Sequence, residues 1–184
     1  MHSDELWQLY YSNGEPIPGA GWESARDNPE KSGSDAIVGV AVVFLYRFHA
    51  GEIEFLWQKR SQNVSRFPGY YDISAGGHIN LGESLVEAAI RETREEIGAR
   101  ITPGDLQFVT MRPFNKNRFA WVWGVNWTDR KDDFEFNDHE VSEIKWVPYS
   151  KMRAFVKTEA KPPLQNDELT FAALDEWIKM HGNL

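Results

Sequence analysis

Cysteine is absent from the chain. Its absence excludes disulfides, thiolate zinc sites, iron–sulfur clusters and any cysteine nucleophile. Long hydrophobic runs are missing too. The longest, residues 36–46, falls short of the roughly 20 apolar residues that a membrane-spanning helix needs. Residues 1–17 carry Asp4 and Glu5 and lack the basic start and apolar stretch of a secretory leader, which points to a cytoplasmic protein. Positive charge is scarce: 20 Lys and Arg stand against 28 Asp and Glu, a net charge of −8. A protein that grips nucleic acid through its backbone clusters its cations so as to displace counterions. Here the cations are scattered. The nearest approach to a cluster, Arg112, Lys116 and Arg118, reads equally as a solvated loop or as a phosphate contact. No stable nucleic-acid partner and no membrane are therefore expected. An acidic protein that handles an anionic substrate needs a metal ion or local positive charge to offset its own field.

What is present is an ordinary globular mixture, 41% apolar and 26% charged. A length of 184 residues fits one domain that buries about 70% of its unfolded surface without staples. Residues 6–11 and 15–17 flank an Asn13-Gly14 turn and read as a hairpin. Pro16 and Pro18 confine its second strand to a sheet edge. Residues 19–35 are polar and read as a loop, so 1–35 form an N-terminal hairpin and loop extension, and 36–184 the main domain. The Val-rich run 36–48 reads as a strand buried on both faces, paired through Ala50-Gly51 with residues 52–59. Further strands are expected at 106–114, 119–127 and 141–147, and a short helix at 150–156. A closing amphipathic helix at 166–180 should turn Leu169, Ala172, Ala173 and Ile178 inward. Phe119, Trp121, Trp123 and Trp127 share one strand face, which fits a core better than a wall beside a nucleobase. The interleaving of elements predicts a mixed α/β fold with helices on both faces of a sheet.

The chemistry concentrates in residues 76–99, GGHINLGESLVEAAIRETREEIGA. Ser84 followed by Glu87 fits a capping box, and Gly98 the left-handed position just past a helix end. Between them Val86, Ala89, Ile90, Thr93 and Ile97 recur at helical spacing and predict the buried stripe. Glu92, Glu95 and Glu96 fall within one arc on the helix flank at about 100° per residue. Like charges at these spacings destabilise a helix, and the negative end of the macrodipole disfavours acids in its last turns. Arg91 offsets part of this by pairing with Glu87 and Glu95. A divalent cation supplies the rest, and oxygen ligands without soft donors point to Mg²⁺ or Mn²⁺. Taken alone, the same glutamates read as a solvated acidic face. The spacing around them decides: Gly77, five residues, Glu83, seven residues, Arg91-Glu92, two residues, Glu95-Glu96, one residue, Gly98, after a Gly76-Gly77 turn.

That pattern resembles the Nudix box, the signature of the Nudix hydrolase superfamily. Thr93 and Ala99 stand where the family prefers bulky aliphatics. Both face the core, so the departure bears on packing. Trp57-Gln58-Lys59-Arg60-Ser61 before the box, and Glu140-Val141-Ser142-Glu143 and Lys145-Trp146-Val147-Pro148 after it, agree in order with such a domain. The resemblance implies an α/β/α sandwich with a mixed β-sheet and a loop-helix-loop catalytic box. It also implies hydrolysis of a diphosphate linkage, typically in a nucleoside diphosphate joined to another group. Mg²⁺ would be held by Glu92, Glu95 and Glu96, with the Gly76 carbonyl as a further ligand, Arg91 orienting the glutamates and Glu83 adding a water-mediated contact. Glu95 is one candidate base; Asp132, Asp133, Glu135, Asp138 and Glu140 supply others. Arg60, His78, Arg112, Lys116 and Arg118 are candidate substrate ligands, and Trp121 or Trp123 a candidate stacking partner for a base.

The run FPGYYDISAGGHINLGES also resembles isopentenyl-diphosphate isomerase, a Nudix relative that isomerises. The comparison places Gly76 where that enzyme carries its essential cysteine. Glycine moves no proton, and the chain holds no cysteine to substitute. By that likeness His78 is either a metal ligand or a phosphate-facing donor. A nucleotide-binding module without turnover is the remaining alternative, against which the complete set of glutamates stands. The expected partner is a small-molecule diphosphate, and the N-terminal hairpin leaves a homodimer open.

Overall fold

The computed structural model describes residues 6–23, 37–115, 117–136 and 139–181. Its spine is β3 (Ile37–His49), a run of β-branched and aromatic residues that suits a strand buried on both faces. β3 turns through Ala50 and Gly51, both at positive φ, into β4 (Glu52–Arg60). This is the geometry that favours a tight hairpin. On its other side β3 runs parallel to β8 (Arg118–Asn126), which carries β7 (Leu106–Asn115) as an antiparallel neighbour. Two short strands, β5 (Tyr71–Asp72) and β6 (Ala75–His78), pair with β4 and with the middle of β3, and β9 (Val141–Pro148) pairs with β4. The N-terminal hairpin, β1 (Leu6–Tyr10) and β2 (Pro16–Glu23), joins through Leu9 opposite Val38, with β2 at the edge. Its second strand runs on to Glu23, past the expected end at Ile17. Gly19 and Gly21 interrupt the side-chain pattern that marks a strand, while the backbone ladder continues opposite Gln8 and Leu6.

Strand alternation divides the core into two layers. Ala41, Val43 and Leu45 of β3 meet α1 (Leu85–Ile97), together with Phe119, Trp121 and Trp127. Phe44 and Tyr46 meet α2 (Tyr149–Glu159), the four-residue α3 (Pro162–Gln165) and α4 (Glu168–His181). The result is the expected sheet with helices on both faces. In β8, Trp121 is buried against Tyr10 and Phe119, and Trp123 meets Phe108, so both belong to the α1 side and neither faces the cleft described below. α4 sits rotated from the expectation: Thr170, Phe171, Leu174 and Trp177 are buried, while Leu169 is exposed. Burying Phe171, Leu174 and Trp177 removes more apolar surface from water than burying Leu169, Ala172, Ala173 and Ile178, and this sets the rotation.

Candidate active site

α1 begins and ends as its sequence dictates. The Ser84 hydroxyl accepts from the Glu87 N–H, the Glu87 carboxylate accepts from the Ser84 N–H, and Gly98 closes the helix in the left-handed conformation. The buried stripe is Ala88, Ala89, Thr93, Glu96 and Ile97, with Val86 and Ile90 only half-buried. Ala89, Thr93 and Ile97 are buried as expected, while Ala88 and Glu96 are covered in place of Val86 and Ile90, which turns Glu96 inward. The Gly-Gly pair also differs from expectation. Gly76 and Gly77 lie inside β6, and the turn follows at residues 80–83. Ser74 fixes that strand between its neighbours, its hydroxyl donating to the Leu56 carbonyl at 2.6 Å and accepting from the Leu45 N–H at 2.9 Å.

Glu96 is buried at the seam between α1 and β6. Its carboxylate accepts from the Gln58 side-chain amide at 2.8 Å and from the Gly76 N–H at 2.9 Å. Burial, then the neighbouring Glu92 and Asp72 carboxylates, push the Glu96 carboxyl well above the ordinary range. Both of its donors are uncharged. Glu92 lies against Gly77, where a Cβ would stand 2.2 Å from a carboxylate oxygen. Arg91 gathers the rest: it donates to Glu83 at 2.8 and 2.9 Å, to Glu92 at 2.7 Å, to Glu95 at 3.2 Å and to the His78 carbonyl at 2.9 Å. Burial works against its charge, and the Glu83 and Glu92 carboxylates outweigh that, so the guanidinium stays protonated. Arg91 thus pairs with Glu83, Glu92 and Glu95, whereas Glu87 is spent on the helix cap. Among the described residues no three carboxylate or imidazole groups converge at ligand spacing. The three glutamates share a flank, but Glu96 turns inward and Glu95, with 41% of its side chain exposed, turns outward.

The other candidates are spread around this centre. Arg60 reaches Asp72 at 3.7 Å and Glu140 at 3.8 Å. Arg112 is buried and bonded to Asp167 and Thr170. His78 stacks on Trp7 with ring centroids 3.5 Å apart. Burial, then Arg118, Arg66 and Arg91, lower its pKa to about 3, so it is neutral. Arg118 opens β8 beside it. Lys116 and Asp138 lie outside the described residues. Glu135 packs on the end of α1, its N–H donating to the Ile97 carbonyl, and Asp132 bonds Arg47 and Trp146. Beyond Gly76, on the face of the sheet opposite α1, a cleft opens between Val40, Val42, Phe44, Phe114 and Leu164, with Lys161 on its wall. Asp72, Gln58 and Lys161 are the site residues that sequence reasoning missed. Asp72 is buried and ion-paired with Lys161. No local pattern marks these three, because their importance comes from pairing across the sheet.

The family model for the NUDIX domain matches residues 36–167, which holds the glutamate helix, both glycines and most of the residues that line the cleft. The chain belongs to the Nudix family. Among its relatives, Nudix hydrolase 3 of Arabidopsis thaliana is 32% identical over 117 residues, covering 58% of this chain and 15% of that protein. The uncharacterized Nudix hydrolase YfcD of Escherichia coli (strain K12) is 30% identical over 111 residues, covering 58% of each. The chain thus spans less than two thirds of the length of both Nudix relatives. The crystal structure of DR0079 from Deinococcus radiodurans shares the fold with a TM-score of 0.70 at 24% identity, over 92% of this chain and 99% of that one.

Gly76 and Gly77 answer differently to an added methyl group. At Gly76 a Cβ would meet the Ala41 carbonyl oxygen at 2.7 Å, and backbone does not yield. At Gly77 it meets only the movable end of Glu92. Gly77→Ala should therefore keep its melting temperature and, if Glu92 takes part in the reaction, lower kcat by about a hundredfold. Gly104→Ala, with nothing closer than 3.8 Å, is the control.

Proposed function

We propose that this Nudix protein is a Mg²⁺-dependent hydrolase that cleaves a diphosphate linkage in a nucleoside-diphosphate-linked substrate by attack of water on phosphorus. One observation carries the reading: the buried Glu96 carboxylate, beside Glu92 and Asp72, has only uncharged donors. A buried anion with acidic neighbours and no cation is costly, and hard oxygen donors fit a hard divalent ion. Glu92, Glu95, Glu96 and the Gly76 carbonyl are the groups to hold it. When bound, Mg²⁺ or Mn²⁺ offsets the charge of the diphosphate and lowers the pKa of a coordinated water. Arg91, anchored on Glu83 and the His78 carbonyl, orients Glu92 and Glu95. Glu95, the most exposed of the three, takes the proton of the attacking water on its carboxylate. The cleft beyond Gly76 receives the group carried by the diphosphate, and Arg60, His78, Arg112, Lys116 and Arg118 are the candidate substrate ligands. Of these, Arg60 and Arg112 already spend charge on Asp72 and Asp167.

Isomerisation is disfavoured on steric as well as chemical grounds. A cysteine at position 76 would carry its Cβ into the Ala41 carbonyl. The test is a mixed panel of nucleotide sugars, dinucleotides, deoxynucleotides and prenyl diphosphates, with monophosphate products read through a coupled phosphatase. Product should form with Mg²⁺ and vanish in chelator. Binding without product from any member would overturn the reading in favour of an inert module. Interconversion of isopentenyl and dimethylallyl diphosphates would favour the isomerase.

A further inference from the structure

β8 runs along one edge of β3 over residues 38–46, so β6 and β4 share the other edge, at residues 40–43 and 46–49. Past Phe55, β4 leaves β3 and takes β5 as its neighbour, which opens a fork between β6 and the β4–β5 pair. Glu96 enters this fork from α1, bonding Gln58 of β4 and the Gly76 N–H of β6. Gln58 is the register partner of Asp72, and the Asp72 carboxylate is met by Lys161, just before α3. Pro162 keeps the residue before it extended, and Lys161 has φ −55° and ψ 143°. Its N–H donates to the Tyr71 carbonyl at 2.9 Å, and its carbonyl accepts from the Leu164 N–H at 2.9 Å. The backbone is thus fixed while 21% of the side chain is exposed on the wall of the cleft. An ammonium carries three N–H donors, and Asp72 takes one. Arg60 stands 3.7 Å from the same carboxylate, so two cations face one buried anion. The other cation on the cleft wall, Arg112, is bonded to Asp167, Thr170 and the Pro113 carbonyl.

We propose that Lys161 is a substrate ligand, its ammonium meeting the phosphoryl group next to the nucleoside of a nucleoside diphosphate compound whose nucleoside lies in the cleft. This rests on the hydrolase reading and names the cation that receives the anion. In a chain of net charge −8, an anion entering the cleft needs local positive charge to bind. The walls around Lys161 are apolar, and a charge-assisted hydrogen bond gains strength where water is scarce. Asp72 holds the ammonium at the fork and leaves two N–H groups for phosphoryl oxygens. A compact charge on a flexible stem shares itself between the two without movement of the backbone. Lys161 and Glu96 come to one fork, through Asp72 and Gln58 that face each other across β5 and β4. No strand therefore divides the bound phosphate from the group that positions the metal.

The probe is α,β-methylene-ADP, which resists hydrolysis, titrated calorimetrically into the full chain with Mg²⁺, beside adenosine as its uncharged counterpart. Lys161→Gln alone strands the Asp72 carboxylate, so the deciding protein joins it to Asp72→Asn. The pair leaves the net charge of the chain unchanged and keeps an oxygen at position 72 for the Ile73 N–H. It should melt near the parent, bind the analogue about tenfold more weakly or worse, and bind adenosine as the parent does. Asp72→Asn alone releases the ammonium from its counter-charge and should bind the analogue at least as tightly as the parent. The proposal is overturned if the parent does not bind the analogue, if the double variant binds it equally well, if adenosine binding falls to the same degree, or if Asp72→Asn binds the analogue more weakly. The two readings fail separately. Analogue binding that depends on Lys161, without turnover of any diphosphate, keeps the subsite and removes the hydrolase. Turnover with the same KM in parent and double variant keeps the hydrolase and removes the subsite.

Discussion

Glu96→Gln is expected to lower kcat by at least about a hundredfold while the protein folds as before. The substitution keeps the shape of the side chain and one carbonyl oxygen to accept from Gln58 and Gly76. What it removes is the negative charge beside Glu92 and Asp72. In the metal-free protein that charge is a liability, since burial and two like-charged neighbours all raise the Glu96 carboxyl. The variant should therefore melt no lower than the parent in chelator. Added Mg²⁺ or Mn²⁺ should raise the melting temperature of the parent and raise that of the variant much less, because a ligand stabilises only the state that binds it. Loss of turnover with an unchanged metal-induced shift would place Glu96 outside the metal site. Near-normal turnover would remove its role altogether.

The boundaries of α1 are legible because each is set by residues within one turn: Ser84 and Glu87 at its start, Gly98 at its end. The same holds for the β3–β4 hairpin, whose turn is set by Ala50 and Gly51. The inward turn of Glu96 is not legible, because it is decided by Gln58 and the Gly76 N–H, which come from β4 and β6. Spacing along a helix places three acids on one flank but does not say which of them the sheet will cover. Glycine hides a different kind of information. Gly76 and Gly77 look like turn residues, yet they serve a strand, one giving way to a backbone carbonyl and the other to Glu92.

Arg118 and His78 are named by the sequence as isolated candidates, and only the pairing of β6 and β8 with β3 sets both on one face of the sheet. α4 shows the limit of periodicity in a short amphipathic helix. Two apolar stripes, one through Leu169 and Ala172 and one through Phe171, Leu174 and Trp177, are both at helical spacing, and only the size of the aromatic rings separates them. Asp72 and Lys161 stand in unremarkable sequence, and their pairing exists only because β5 and the start of α3 are neighbours in space.

Arg112→Ala is expected to have the largest effect on stability. Arg112 and Asp167 are 7% and 8% exposed, and they join β7 to the first turn of α4. Asp167 also accepts from the Thr170 N–H, and the Arg112 guanidinium bonds Thr170 and the Pro113 carbonyl. One guanidinium therefore satisfies groups on two elements and closes a wall of the cleft. Truncation leaves the Asp167 carboxylate buried without its cation, a change that costs about 3–5 kcal/mol. At roughly 3 °C per kcal/mol for a chain of this size, the melting temperature should fall by about 9–15 °C. Arg112→Met paired with Asp167→Leu should recover much of that loss, since an apolar pair leaves no charge stranded. A single variant that melts like the parent would show the pair to be solvated. The double variant also separates the two roles open to this residue. If Arg112 only braces α4, the repaired protein turns over substrate with the parent KM; if it also meets phosphate, stability returns and KM stays high.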